Sequence, residues 1–420
     1  MIIKMELNNI VSVKEREHLR ELAKKQLELS QLPIMKEREN LWFQHNELKG
    51  TRPMVIMEDI TFWDEICPTL QCESSLAREI EEELYKNIVI VDLLDDDKVV
   101  TSYYKLNYEL KYKKYGLEPK VIYAADGLGF HVVPEIEEIE EDFEKLSPSI
   151  FEYDEVGLKH KKEMIEEIIG DILPVRLINA TNQWGMSLTH NVVDLMGTEN
   201  MFCSMLTEPD EFHRLMEFVT DDSIRLLRFQ EEMGIMQVNN RNDYMGSGSY
   251  CFNNEIGNVA EGDAVKSIDT WGHINSQESV GISPAAFQEF ILPYILKLSK
   301  EFGLLYYGCC EPVSDFWKEG VEKIENLRKV SISPWCNEEM MAEQLAGSKT
   351  IYSRKPSPNF IGIEANFDEV GFREYIRTTA KLINNCKAEF IFRDIYKLHG
   401  NIEKVKKAVQ ITREETRDCY

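Results

Sequence analysis

The sequence predicts an α/β protein: a (β/α)8 TIM barrel with an N-terminal helical extension and a β-hairpin insertion. Two observations predict it. Short apolar runs recur along the chain, separated by longer segments with helical periodicity. No glycine-rich phosphate turn follows any of these runs, which weighs against a doubly wound open sheet.

Residues 1–50 read as the helical extension. Ser12 and Glu15 have capping-box spacing, and Leu19, Leu22, Ala23 and Leu27 then form one apolar stripe. Residues 51–420 read as the barrel, interrupted by an insertion at about 95–150. Within it, "KVVTSYYKLNYELKYKKYG" (98–116) is β-branched, aromatic and alternating, and reads as a hairpin or two extended segments. "PEIEEIEEDFEK" (134–145) places Ile136, Ile139 and Phe143 on one face of a solvated acidic helix. The eight strand candidates are "MVIME", "ILPVRLIN", "IMQVNN", "IDTWGHIN", "LLYYGCC", "KVSISPW", "TIYSRKP" and "EFIFRD". Helix punctuation falls between them: a stop at Gly170, a cap at Ser283 before Pro284, a kink at Pro293, and a cap at Asn401. No linker rich in Pro, Gly or Ser divides the chain, so one domain with its N-terminal helices packed on it is expected.

Composition narrows the function. A formal charge of −26 over 420 residues excludes nucleic acid and anionic lipid as natural partners. No apolar run approaches a membrane span and the start lacks a secretory pattern, so the reading is cytoplasmic. Nine cysteines, an odd number, then suggest reduced thiols available for metal or catalysis.

Barrel active sites collect at the C-terminal ends of the strands. Reading past each run gives Glu58 and Asp59, then Asn182 and Trp184, then Asn239, Asn240 and Asn242. Gln277 and Glu278 follow, then Cys309, Cys310 and Glu311, Trp335 and Cys336, Lys355, and finally Arg393 and Asp394. Three cysteines from adjacent strands form a set of thiolates suited to zinc with an open fourth position. The alternative is two half-buried thiols under the rim and an unrelated Cys336. His273 is read as facing the lumen or as a hydrogen-bonded core histidine.

"GISPAAFQEFILPY", "YYGCCEPV", "ISPWCNEEMMAEQLAG" and "EFIFRDIYKLHGN" together resemble the uroporphyrinogen decarboxylase superfamily. They are most similar to its methyltransferase-like branch of zinc-dependent coenzyme M methyltransferases and corrinoid-linked demethylating enzymes. The resemblance spans roughly residues 50–415 and implies a (β/α)8 barrel. Departures are clear. Where the decarboxylases carry arginines after the first strand, this chain has "MVIMEDITFWDEI", which disfavours a polyanionic tetrapyrrole. Where the coenzyme M enzymes have His-x-Cys, it has Tyr307, Gly308 and Cys309, and Cys310 is gained.

The resemblance implies a corrinoid-dependent methyltransferase using zinc. It would move a methyl group between a small O- or N-methylated compound, or a thiol, and a partner corrinoid protein. Metal binding is assigned to Cys309, Cys310 and Cys336, and catalysis to Glu278, Glu311 and Asp394. Substrate binding is assigned to Glu58, Asp59, Trp63, Trp184, Asn240, Gln277 and Trp335. The acidic rim is expected to repel polycarboxylates. The alternatives are a decarboxylase of another carboxylic acid and a non-catalytic corrinoid or tetrapyrrole binder. Monomer and homodimer both stay open.

Overall fold

A computed structural model describes residues 11–117, 120–123, 130–181, 186–260 and 262–419. Eight strands run parallel to a neighbour: β1 (Met54–Met57), β2 (Tyr104–Asn107), β3 (Val175–Ile178), β4 (Trp271–Ile274), β5 (Leu304–Tyr307), β6 (Leu327–Ile332), β7 (Ile351–Arg354) and β8 (Ala388–Phe392). Six of them form one sheet in the order β1-β8-β7-β6-β5-β4, and β2 pairs with β3 apart from it. Every residue of the six strands is buried, as a parallel sheet covered on both faces requires.

Alternation sorts their side chains. Val55, Met57, Leu305, Tyr307, Val330, Tyr352, Phe390 and Phe392 share one large core with Phe372, Ile376, Val405 and Val409 of the flanking helices. Their sequence neighbours Met54, Ile56, Trp271, Tyr306 and Ile391 belong to two smaller clusters on the other face. A short antiparallel hairpin, Tyr244–Met245 with Ser249–Tyr250, lies on that face. At Gly246 (φ +57°) a Cβ would stand 2.8 Å from the Tyr306 ring, and at Gly248 (φ +90°) 2.4 Å from Ile391. Only glycine allows the tip to sit this close to β5 and β8 at once. The sheet therefore curls around the hairpin.

The six-stranded sheet has two edges, and side chains cap both. Beside β1, the Asp97 carboxylate accepts from Val55 N (2.7 Å) and the Asp96 carboxylate from Met57 N (2.9 Å). Beside β4, the Asn239 amide accepts from Trp271 N (2.8 Å) and donates to Trp271 O (3.0 Å). These groups satisfy backbone that a neighbouring strand would otherwise pair. Consequently no β1–β2 or β3–β4 ladder exists among the described residues, and the parallel strands form a six-stranded sheet and a separate pair, an α/β arrangement compatible with the expected barrel.

Three expected elements differ. "IMQVNN" is not a strand, because Asn239 does the pairing with its side chain. The stretch 98–116 takes the second of its two readings, two extended segments: β2 pairs in parallel with β3, and Leu110–Lys113 pairs antiparallel with Ile150–Tyr153. A hairpin does exist in the insertion, between Lys120–Tyr123 and Phe130–Val133. The acidic helix shrinks to Ile139–Asp142 and a 3-10 turn, since burial of Ile136 and Ile139 ties it to the core. Asn401 donates to Ala365 O rather than capping the last helix, Glu403–Glu415.

Other expectations hold. Helix α1 (Val13–Ser30) starts at the Ser12–Glu15 capping box. Ser283 accepts from Ala286 N, and the following helix breaks at Ile291 before Pro293. Helix α2 (Pro33–Asn46) buries Trp42, His45 and Asn46, with His45 3.1 Å from Glu389 inside the curled sheet. The extension thus closes one end of the sheet's hollow.

Candidate functional site

Why two cysteines and a glutamate follow β5 is answered by the turn at Gly308 (φ +91°). A Cβ there would meet Val313 at 3.0 Å and Ser331 at 3.2 Å, so glycine is needed. The turn aims the Cys309 amide at Glu311, whose two oxygens accept from Cys309 N (2.8 Å) and Ser276 N (2.9 Å). Glu311 is fully buried and fastens the loops after β4 and β5 together. Burial, and then the neighbouring Cys309 charge, push its carboxyl up to about 7. It positions backbone rather than facing solvent.

The turn also presents the thiols side by side, with Sγ atoms 3.6 Å apart. Arg393 Nη1 lies 3.7 Å from Cys309 Sγ, and Asp394 Oδ2 lies 4.0 Å from Cys310 Sγ. The hydrogen bond from Cys310 pulls the Cys309 thiol down to about 6; burial opposes this and Arg393 reinforces it. The same bond, with burial, raises Cys310. With Arg393 beside Cys309 and Asp394 beside Cys310, negative charge on the pair is favoured at Cys309. Nearby, Lys355 Nζ is buried against Tyr306 OH (2.5 Å) and Ser353 Oγ (2.8 Å), and burial brings it down to about 7.

Arg393 also sits 3.6 Å from Glu58 Oε2, and Tyr244 of the hairpin donates to Glu58 Oε1. Behind this chain opens a cavity of about 570 Å³ between β1, β2 and helix α3 (Ser75–Leu93). Glu58, Asp59 and Trp63 line it, together with Glu83, Lys98, Lys105, Asn242 and Tyr250. Strand ends of β1, β2 and β3 form much of its wall.

The assigned residues thus divide. Cys309, Cys310, Arg393, Asp394 and Glu58 come together, and Asp59 and Trp63 line the cavity behind. Cys336 does not join the pair: its thiol packs against Ser333 Oγ (3.6 Å) and Glu311 O (3.9 Å) within the core. Glu278 is engaged by Thr189 (2.7 Å) and His190 (3.1 Å). Burial works against that charge, but His190 and Thr189 hold Glu278 below its ordinary value. Gln277 donates to Glu278, and Asn240 donates to Ile256 O, away from the cavity. Trp335 is 68% exposed. Asn182 and Trp184 lie outside the described residues. His273 is buried at 3.2 Å from Gly308 O, with its ring edge-on to Tyr306.

The rim carboxylates are not bare. Asp59 pairs with Lys98 (2.7 Å), Glu58 with Arg393 and Glu278 with His190, so the expected acidic rim is largely neutralised. Lys98 and Lys105 escape the strand-end rule because Lys98 precedes β2 and Lys105 lies within it, neither past its C-terminal end. The signal is slight: Tyr104 and Leu106 are buried on one face of "YKLN", and Lys105 alternates onto the other.

Replacing Arg393 by methionine is expected to raise the Cys309 thiol by about one unit. The alkylation rate of metal-stripped protein, followed against pH, checks this: the midpoint should move up from about 6. An unmoved midpoint would show that Cys310 alone sets it.

No family model matches the sequence, and no curated protein matches it. Solved structures do: 22 chains match. One is a methyltransferase from Methanosarcina mazei, with a TM-score of 0.50 over 90% of this chain and 98% of that one, at 10% identity. The chain therefore shares its overall fold with that structure. Among the described residues, no helix is long and apolar enough to cross a membrane.

Proposed function

We propose that the protein is a methyltransferase of the uroporphyrinogen decarboxylase-like, (β/α)8 type. It moves a methyl group between a small O- or N-methylated compound, or a thiol, and a partner corrinoid protein. The observation that carries this reading is the thiol pair at a strand end, linked through Arg393 and Glu58 to the wall of a ligand-sized cavity.

The pair fits zinc. Two sulfurs bound at about 2.3 Å in a tetrahedron stand roughly 3.8 Å apart, close to the 3.6 Å observed. Cys309 and Cys310 would hold the ion, with Asp394 the nearest further donor; Cys336 is left out of this set. Bound there, zinc would supply Lewis acidity toward the oxygen, nitrogen or sulfur that carries the methyl group. The chain's own residues do the rest. Arg393 keeps Cys309 ionised and is itself held by Glu58, which Tyr244 orients. Glu311 fixes the backbone that aims both thiols. Lys355, near neutral, can take or give a proton within the same buried region.

The purified chain should contain about one zinc by elemental analysis. With a reduced corrinoid protein and a panel of methylated donors, it should produce the spectral change of corrinoid methylation, and chelation should abolish it. Full activity in zinc-free protein would remove the metal from this reading. Decarboxylation of an organic acid with no corrinoid response would replace the reading altogether.

A further inference from the structure

We propose that His18, Cys72 and Glu81 form a second metal site, which takes a divalent cation of the zinc type and clamps helix α1 to helix α3. The site lies apart from the thiol pair and does not depend on the methyltransferase reading. Three segments bring its donors together. His18 comes from α1, Cys72 from the loop before α3 and Glu81 from α3, and their ligand atoms all lie within 4.8 Å of one another. Among the described residues, no other three His, Cys, Asp or Glu side chains converge in this way.

The carboxylate is fixed as a metal ligand is fixed. Glu81 Oε1 accepts from Gln71 N (2.8 Å) and Oε2 from Cys72 N (2.9 Å), which uses one lone pair on each oxygen. The lone pair left on Oε1 meets His18 Nε2 at 2.8 Å, and the Cys72 thiol faces the same carboxylate. Burial opposes the charge, but the amides of Gln71 and Cys72 hold Glu81 below its ordinary value and keep it ionised. Glu15 of α1 secures the same loop from its other end, accepting from Glu73 N (2.8 Å) and Ser74 N (2.9 Å). The amides from Gln71 to Ser74 are thus all tied to carboxylates, and Cys72 is presented on fixed backbone.

A hydrogen-bonded clamp between the helices would be complete without a thiol; adding one makes a zinc ligand set. The cation takes the place of the protons on His18 Nε2 and on the Cys72 thiol. The thiol proton leaves to solvent, and the imidazole keeps its proton on Nδ1. Thiolate, carboxylate and divalent cation then sum to zero charge, which suits a site whose Glu81 side chain is fully buried. Calcium and magnesium take oxygen ligands, so a set of nitrogen, sulfur and oxygen selects against both. Tetrahedral zinc places such donors roughly 3.3–3.6 Å apart, so the His18–Glu81 contact opens by about 0.5 Å. The His18 side chain is 20% exposed, which leaves it room to move and gives water a way to the fourth position.

The test is a cobalt titration of the full chain carrying Cys309→Ser and Cys310→Ser, which takes the thiol pair out of the readout. With one thiolate against two at β5, the trio is the weaker site, so metal is added rather than carried through purification. About one equivalent of cobalt should produce a thiolate-to-cobalt charge-transfer band and raise the melting temperature. Cys72→Ser should abolish the band, and His18→Ala should weaken binding at least about tenfold. Cys203→Ser, at an exposed thiol, should change neither. No band at about 1 mM cobalt overturns the proposal and leaves a hydrogen-bonded clamp only. A band that survives Cys72→Ser, or disappears with Cys203→Ser, overturns it too, because the ion then binds elsewhere. If the double variant does not fold, the natural chain with zinc on its thiol pair is titrated instead, and Cys72→Ser is read in the same way.

Discussion

Replacing Glu389 by alanine is expected to destabilise the protein by about 3–5 kcal/mol, the largest effect on folding in the molecule. Glu389 is fully buried on β8 and collects four partners: His45 at 3.1 Å, Lys329 at 3.0 Å, Ser249 at 2.9 Å and Ser353 at 2.6 Å. These come from helix α2, β6, the lumenal hairpin and β7, so one carboxylate joins four parts of the fold. Its loss leaves the Lys329 ammonium, also fully buried, without a counter-charge. Urea unfolding would read the change, and a loss under about 1 kcal/mol would show that the network is dispensable. Adding Lys329→Met to the alanine variant should recover part of the loss, because the stranded charge goes with it.

The largest effect on activity should come from Cys309→Ser. If the thiol pair holds zinc, methyl transfer should fall roughly a thousandfold, the several kcal/mol that a Lewis acid supplies. Bound metal should fall with it while the melting temperature stays near that of the natural chain. Cys336→Ser should retain metal and most activity, since that thiol packs against Ser333 and Glu311 O in the core. Equal losses in the two variants would restore the three-cysteine site.

Much of this was legible in the sequence, for identifiable reasons. Seven of the eight apolar runs became parallel strands, six of them because burial on both faces leaves a continuous hydrophobic signature. The eighth, "IMQVNN", carries the same signature, but Asn239 replaces backbone pairing with side-chain pairing, which no periodicity reveals. β2 was hidden for the opposite reason: "YKLN" alternates as a half-exposed strand would, although it pairs in parallel with β3. At the site, the strand-end rule placed Cys309, Cys310, Asp394 and Glu58 correctly at one locus. It could not tell which neighbouring side chains turn inward. Cys336 and Glu278 follow their strands by the same rule, yet core packing takes one and His190 the other. The cavity cations were invisible because helix α3 and the loop before β2 build that wall, and rim counting does not reach them.

The side-chain caps on the two sheet edges give the molecule an acid-labile seam on one flank only. Asn239 cannot titrate, so the cap on β4 is indifferent to pH. Asp97 can. Burial pushes its carboxyl up, but Arg52 and Arg413 outweigh burial and hold it below the ordinary aspartate value. Its contribution is therefore complete above the unfolded aspartate value and drains away as pH falls through the lower folded one. Acid would then release the Asp97 cap on Val55 N, while Asp96, whose carboxyl burial raises, does not add to that loss. Since β1 ends in Glu58 and walls the cavity, the flank that acid loosens is the one that bounds the ligand chamber.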